Sequence, residues 1–145
     1  MARRLLSVLL TLTFGLAAVS VAEARDRVKV PSKGEISPEG WAGVTFPYRC
    51  DPRSGLTYLD VSVVQTLGPN GEFSISSFDD VSPPALICDN KRNEQTVFSG
   101  ADLSNYPPGA EESRFVPGRA QVCATFWNDE SGFFGTRACR SVKLR

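Results

Sequence analysis

Residues 121–139 read QVCATFWNDESGFFGTRAC, in which two cysteines flank an acidic turn and four aromatic side chains. If the two halves pair as antiparallel strands, one register sets Cys123 directly opposite Cys139 and leaves a three-residue turn at 130–132. Gly132 then closes the turn, where glycine is favoured because the closing bulge needs a left-handed backbone. Directly opposed residues have Cα atoms about 4.5–5.5 Å apart, within reach of a disulfide. The stretch therefore predicts a disulfide-linked β-hairpin.

The same register sorts the hairpin into two faces. It places Trp127 opposite Gly135 and Phe126 opposite Thr136, and it gives a polar face that is interrupted only by the disulfide and Trp127. The other face is mostly apolar and is broken only by Thr136 and Arg140. Its apolar members are Ala120, Val122, Ala124, Phe126, Phe134, Ala138, Val142 and Leu144. We expect this second face to pack on the core.

Short strand-like runs continue towards the N-terminus. The stretch LTYLDVSVVQ at 56–65 alternates apolar and polar residues, as a strand with one wet face does. Further runs lie at 44–48, 72–78, 85–88, 95–100, 119–128 and 133–144, and no amphipathic helix is indicated. About seven short strands with turns every 8–12 residues predict an all-β, antiparallel immunoglobulin-like sandwich, with an incomplete barrel as the alternative. The likeness is architectural, because no tryptophan lies between Cys50 and Cys88.

The N-terminus predicts export. Residues 1–24 combine a basic start, an apolar run and small residues at Ala22 and Ala24, which together are typical of a secretory signal peptide. Cleavage is expected after Ala24 or Ala22. The mature chain then begins with a mobile arm at 25–40, rich in proline and glycine, followed by a single β-sandwich domain at 41–145. No second apolar run follows, so the mature chain is expected to be extracellular without a membrane span.

The cysteine pattern predicts disulfides. An even number of cysteines in a secreted chain is usually paired, and the hairpin favours Cys123 with Cys139, which leaves Cys50 with Cys88. A metal site is disfavoured, because the chain has no histidine and no closely spaced cysteine pair.

Composition also excludes several functions. Without histidine, neither Ser-His nor Cys-His catalysis is available, and no Ser-x-x-Lys motif or glycine-rich phosphate loop appears. The 16 basic and 16 acidic residues balance to a formal net charge of zero, which does not favour nucleic acid binding. The sequence therefore predicts no catalytic residue, no metal and no cofactor. An enzyme that uses carboxylates alone is the weakest hypothesis.

The hairpin tip supplies the candidate contact residues, which are Trp127, Asp129, Glu130 and Phe133. Aromatic anchors often dominate interfaces, so we expect a non-enzymatic module that binds an extracellular protein or glycan, or that serves a structural role. The alternative is a secreted protease inhibitor that presents a disulfide-pinned loop, with the hairpin tip or residues 101–117 as the candidate loop. The sequence indicates no particular oligomeric state.

Several stretches carry a family resemblance. They are LICDN at 86–90, the short strand at 95–99, FVPGRAQVCATF at 115–126 and the terminal RSVKLR. Across roughly 48–145 the chain resembles small exported actinobacterial proteins of uncharacterised function. The resemblance implies export and a β-sandwich, and it carries no activity with it.

Overall fold

The structure, a computed structural model, describes residues 26–68, 71, 73–101, 114–128 and 130–145. The predicted signal peptide at 1–24 lies outside this range. The described residues form eight β-strands and no helix, which confirms an all-β fold. The strands are β1 (Arg27–Val28), β2 (Lys33–Ile36), β3 (Ala42–Arg49), β4 (Tyr58–Leu67), β5 (Phe73–Val81), β6 (Asn93–Ser99), β7 (Gly118–Asn128) and β8 (Phe133–Leu144).

Antiparallel pairing dominates the sheet. Strands β5, β4, β7 and β8 are neighbours in that order, and β3 pairs with β1, β2 and β6. Strand β2 connects these two groups. Its residues Glu35 and Ile36 pair with β3, whereas Lys33 and Gly34 pair in parallel with β8.

The alternation predicted for β4 is confirmed. Leu59, Val61 and Val63 are buried, while Asp60 and Ser62 between them are half-buried. Successive side chains of a strand point to opposite faces, so the apolar residues share one side. This side faces the core and leaves the polar residues on the other.

One core joins the two groups of strands. Phe46 of β3 and Phe126 of β7 are fully buried, and the Tyr48 ring lies edge-on to Phe126 with centroids 6.1 Å apart. Burying a phenylalanine side chain stabilises a fold by about 1.5–3 kcal/mol. The aromatic contacts therefore hold β3 against β7.

Both predicted disulfides are present. Cys50 is bonded to Cys88 with Cα atoms 4.7 Å apart, and Cys123 is bonded to Cys139 with Cα atoms 4.1 Å apart. No cysteine is free. Two disulfides are consistent with an extracellular or otherwise oxidising environment.

The hairpin register is confirmed only up to Thr125, which pairs with Arg137. Beyond it Trp127 pairs with Phe134, so the predicted pairings of Trp127 with Gly135 and Phe126 with Thr136 are wrong. A β-bulge causes the shift, because two residues of β8 face one residue of β7 there. Because β7 ends at Asn128 and β8 begins at Phe133, four residues connect the strands instead of the three predicted.

Long-range contacts explain the bulge. A Cβ atom on Gly135 would lie 3.1 Å from the Phe126 Cβ and 3.4 Å from Leu56 Cδ2, so the missing side chain lets β8 approach closely. The neighbouring Thr136 Oγ1 donates a hydrogen bond to the Asp26 carbonyl at 2.7 Å. The bulge therefore turns Thr136 towards the N-terminal segment.

The predicted apolar face of the hairpin is confirmed along β7. Its even-numbered residues Ala120, Val122, Ala124 and Phe126 are buried. On β8, Val142 and Leu144 are buried, Ala138 packs against the core and Arg140 is exposed, as the pattern indicates. The side chain of Phe134 lies outside the described part.

The N-terminal segment differs from the mobile arm predicted at 25–40. Val28 and Val30 are buried with Lys29 exposed between them, and β1 pairs with β3. The Asp26 Oδ1 accepts a hydrogen bond from the Asp51 backbone N–H at 2.7 Å. The two valines have the spacing of a core-facing strand, so the segment is integrated into the fold.

The strand predicted at 85–88 is not formed. The Ser82 carbonyl accepts hydrogen bonds from the N–H groups of Ala85 and Leu86, which makes the segment a turn. Two prolines at 83 and 84 precede it, and proline cannot donate to a strand ladder.

Candidate functional site

The structure describes the side chains of two of the four predicted contact residues, Trp127 and Glu130. Trp127 is half-buried at the end of β7, and its ring centroid lies 6.1 Å from that of Tyr58. Glu130 is exposed in the turn, and Asp129 lies outside the described residues. Phe133 pairs with Asn128, and only its backbone is described. Of the two whose side chains are described, Trp127 is packed against a neighbouring ring and Glu130 is exposed.

Trp127 is fixed by hydrogen bonds to its backbone carbonyl as well as by the Tyr58 ring. Its carbonyl accepts hydrogen bonds from the Thr57 N–H at 2.8 Å and from Thr57 Oγ1 at 3.2 Å. The register also places Tyr58 directly opposite Trp127. The two rings therefore form a fixed aromatic pair at one end of the sheet.

This pair belongs to a surface that we call the outer face. It is the side of β5, β4, β7 and β8 turned away from the core. Strand pairing aligns its residues in rows, one of which runs across all four strands as Asp80, Asp60, Thr125 and Arg137. Its members are Tyr58, Asp60, Ser62, Phe78, Asp80, Cys123, Thr125, Trp127, Arg137 and Cys139.

A depression of about 370 Å³ lies at the centre of the outer face. It is lined by Asp60, Ser62, Phe78, Thr125 and Arg137. Phe78 is 70% exposed, which is high for a large apolar side chain. An exposed aromatic ring next to convergent polar groups is typical of a contact surface.

The polar groups in the depression are electrostatically coupled. Burial raises the pKa of the Asp60 carboxyl above its ordinary value, and the nearby Asp80 charge raises it further. Arg137 opposes this shift, and the Val61 backbone hydrogen bond also lowers the pKa. Arg137 forms no ion pair within 4.0 Å among the described residues. Its guanidinium therefore keeps donors that a partner can use.

These groups suit recognition by hydrogen bonds better than metal binding. Two carboxylates are fewer than the six or more oxygen ligands that Ca²⁺ takes. The described part of the chain contains no group of three or more metal-ligating side chains. The outer face can offer carboxylate acceptors, guanidinium donors and an apolar ring to a partner.

Phe78, Asp60 and Arg137 were not among the residues predicted from the sequence. The alternation in 56–65 did place Asp60 and Ser62 on a wet face. The sequence alone did not indicate which strands are neighbours, and Phe78, Asp60 and Arg137 come from three different strands. Only the strand order brings them together.

A second exposed feature lies in the loop that precedes β6. Ile87 is 51% exposed, next to the disulfide-bonded Cys88. Its N–H donates to the Tyr48 hydroxyl at 3.0 Å, and its carbonyl accepts from Asn93 Nδ2 at 3.1 Å. The loop therefore presents an apolar side chain on a backbone that is held on both sides.

The loop predicted at 101–117 is described only at its ends, because 102–113 lie outside the described residues. At the later end Phe115 is buried. The buried Gln65 holds Val116 with two hydrogen bonds, from Gln65 Nε2 to the carbonyl at 2.8 Å and from the Val116 N–H to Gln65 Oε1 at 3.0 Å. This end is fixed to β4.

Comparison with known proteins finds no matching family model, no similar curated protein and no similar solved structure. The resemblance to exported actinobacterial proteins therefore stays a prediction. Among the described residues, no helix has the length and apolar character needed to cross a membrane.

Proposed function

We propose that this protein is a secreted, non-enzymatic binding module with an immunoglobulin-like β-sandwich fold, and that the outer face contacts an extracellular protein. Secretion is supported by the N-terminal sequence and by the two disulfides. The non-enzymatic character is supported by a sequence without histidine or any recognisable catalytic motif.

The strand order supports the sandwich. One group contains β1, β3 and β6, and the other contains β5, β4, β7 and β8, with β2 pairing to both. Their apolar residues share one core, as the inner faces of two packed sheets do. Immunoglobulin-like domains divide their strands between two sheets in this manner.

The observation that carries the function is the exposure of Phe78 beside the charged row of the outer face. The outer face extends over four neighbouring strands, which suits the broad contact of a protein partner. Phe78 supplies an apolar anchor, while Asp60 and Arg137 supply directional hydrogen bonds. In protein interfaces a few such anchors carry most of the binding energy.

The test is a pull-down with the mature chain from culture supernatant and envelope extract. A captured protein is identified by mass spectrometry, and its affinity is then measured with purified components. We expect Phe78→Ser to weaken binding by about tenfold or more, because truncating an anchor typically costs at least 1–2 kcal/mol. Trp127→Ala should also weaken it, because Trp127 belongs to the same surface.

Phe98→Ser is the matched control. Phe98 is 40% exposed on β6, which pairs with β3 rather than with the strands of the outer face. The substitution should leave the affinity unchanged. A partner that binds the Phe78→Ser variant as tightly as the wild type would refute the outer face as the contact surface. A glycan array probed with the same variants tests a glycan partner.

The second candidate is a protease inhibitor, favoured by the geometry of the Ile87 loop rather than by the hairpin tip. A rigid loop that presents one exposed side chain lowers the entropy lost on binding. Because Ile87 is aliphatic, the target would be a protease that cleaves after aliphatic residues.

We expect inhibition of an elastase-like protease, measured as the loss of peptide hydrolysis with increasing protein. Ile87→Lys should abolish this inhibition and transfer it to a trypsin-like protease, because the substitution changes only the presented side chain. If micromolar wild-type protein inhibits no protease in a serine-protease panel, the inhibitor hypothesis is wrong.

A further inference from the structure

A depression of about 700 Å³, here called the basic groove, lies at strands β1 and β3, away from the outer face. Four cationic side chains, Arg27, Lys29, Arg49 and Arg92, line it together with Val28, Pro47, Tyr48 and Thr136. The four cations come from three separate stretches of the sequence, and the chain as a whole has no net charge. The fold therefore concentrates positive charge that the composition does not reveal.

The pairing of β1 with β3 creates this concentration. It places Arg27 directly opposite Arg49, and the Lys29 N–H donates to the Pro47 carbonyl at 3.0 Å. Like charges directly opposite each other on neighbouring strands destabilise a sheet. An anionic ligand bound between them would relieve that repulsion.

The charges in the basic groove are incompletely neutralised. Arg92 forms an ion pair with Glu94 at 3.5 Å, and Arg49 Nη2 donates to the neutral Asn90 Oδ1 at 3.3 Å. Within the described residues, Arg27 and Lys29 form no ion pair within 4.0 Å. The groove therefore retains an excess of positive charge.

The remaining lining indicates the shape of the ligand. The half-buried Pro47 contributes apolar surface between the cations, and the buried Val28 and Tyr48 side chains lie on the core side of the same strands. The Thr136 hydroxyl donates to the Asp26 carbonyl. Small-ligand sites typically have volumes of about 300–1,000 Å³, and they combine apolar walls with a few polar groups. A ligand with ring-shaped units and several anionic groups matches this lining.

We propose that the basic groove binds the carboxylate or sulfate groups of an acidic polysaccharide. Guanidinium groups bind such planar or branched anions with paired hydrogen bonds, and sugar rings can pack on Pro47 and on the apolar stems of the cationic side chains. A nucleic acid fits less well, because its evenly charged backbone is matched by a long basic stripe rather than by one cluster. The site is separate from the outer face and goes beyond the proposed protein contact.

The test measures binding of the mature protein to two probes, a heparin oligosaccharide and a polygalacturonate oligosaccharide, by isothermal titration calorimetry. We expect at least one probe to bind, and its affinity to fall as salt rises from about 50 mM to about 200 mM because bound counterions are released. Inorganic sulfate should compete for the site. The Arg27→Ala/Arg49→Ala variant should lose at least tenfold in affinity.

The Arg119→Ala/Arg140→Ala variant is the matched control, because it removes the same charge from exposed positions on β7 and β8. It should bind the probe as the wild type does. Phe78→Ser should also bind normally, so failure of the outer-face proposal does not affect this result. Far-ultraviolet circular dichroism verifies that each variant is folded. If the alanine variant unfolds, Arg27→Gln/Arg49→Gln replaces it, because this variant also removes both charges but keeps long polar side chains, and it should show the same loss of affinity.

Three results would overturn the proposal. The first is that neither probe binds the wild type at the lower salt concentration. The second is that both double arginine variants lose the same affinity, which indicates a general charge effect. The third is that duplex DNA binds as tightly as the oligosaccharides and loses the same affinity in the Arg27→Ala/Arg49→Ala variant, which indicates an unselective polyanion site.

Discussion

At the scale of single residues, Asp60 connects the stability of the fold to its surface chemistry. It pairs with Asp80 on one side and Thr125 on the other, so two carboxylates share one row of the outer face. Burial raises the pKa of Asp60, and the charge of Asp80 adds to the effect. The folded protein therefore holds a proton on this carboxyl to a higher pH than the unfolded chain does.

The sign of the resulting pH dependence follows from linkage. Between the unfolded pKa of aspartate, about 3.9, and the raised folded pKa, the native state binds more protons than the unfolded state. Stability must fall as the pH rises through this window, and the loss persists at higher pH. Asp60→Asn should raise the melting temperature at neutral pH and flatten the decline, as measured by thermal unfolding at a series of pH values.

Asp89→Asn provides a comparison, because the pKa of Asp89 is shifted in the opposite direction to that of Asp60. A hydrogen bond from the Asn93 side chain, with one from the Lys91 N–H, lowers the pKa of Asp89. Its charged form is therefore favoured by folding, and this contribution is lost as the pH falls through the folded pKa. Replacing Asp89 should lower the melting temperature at neutral pH. A destabilised Asp60→Asn variant with an unchanged pH profile would contradict the role given to Asp60.

At the scale of secondary-structure elements, the β7–β8 hairpin shows what spacing alone can predict. The cysteine spacing and Gly132 predicted the correct disulfide and the register as far as Thr125. The bulge at Gly135 and Thr136 was not predictable in this way, because it depends on contacts with Leu56 and Asp26 far away in the sequence. The local sequence pattern therefore predicts the register of two strands only where no contact with a distant residue shifts it.

Removing the hairpin disulfide tests its contribution to stability. The chain-entropy model gives about 3 kcal/mol for a loop of this length, so Cys123→Ala/Cys139→Ala should lower the free energy of unfolding by about that amount. The Cys50–Cys88 bond spans 38 residues against 16 for the hairpin bond. Its removal should cost about 4 kcal/mol in the same model. Urea unfolding monitored by fluorescence measures both values.

The order of the two losses is the decisive result. Cys50 is fully buried and Cys139 is exposed, so replacing Cys50 by alanine also removes packed volume from the core. Both effects make the Cys50–Cys88 variant the less stable one. A larger loss for the hairpin variant would show that the hairpin bond stabilises the protein by more than loop closure.

At the scale of the whole molecule, the strand order decides which polar and charged side chains become neighbours on the surface. Alternation within a strand correctly predicted which residues of β4 and β7 are buried. It carried no information on neighbours, so neither the row from Asp80 to Arg137 nor the approach of Arg27 to Arg49 was predicted. Residues such as Trp127 stand out in the sequence because they are locally unusual, whereas both proposed surfaces are built from ordinary residues on different strands.

The connection made by β2 has a mechanical consequence. Strand β2 runs parallel to β8, with hydrogen bonds from the Lys143 N–H to the Ser32 carbonyl at 3.0 Å and from the Ile36 N–H to the Arg145 carbonyl at 2.9 Å. Because the two strands are parallel, the start of β2 lies at one end of the pair and the end of β8 lies at the other. Tension applied between the start of β2 and the C-terminus therefore shears the two strands lengthwise and loads their hydrogen bonds together, instead of unzipping them one at a time.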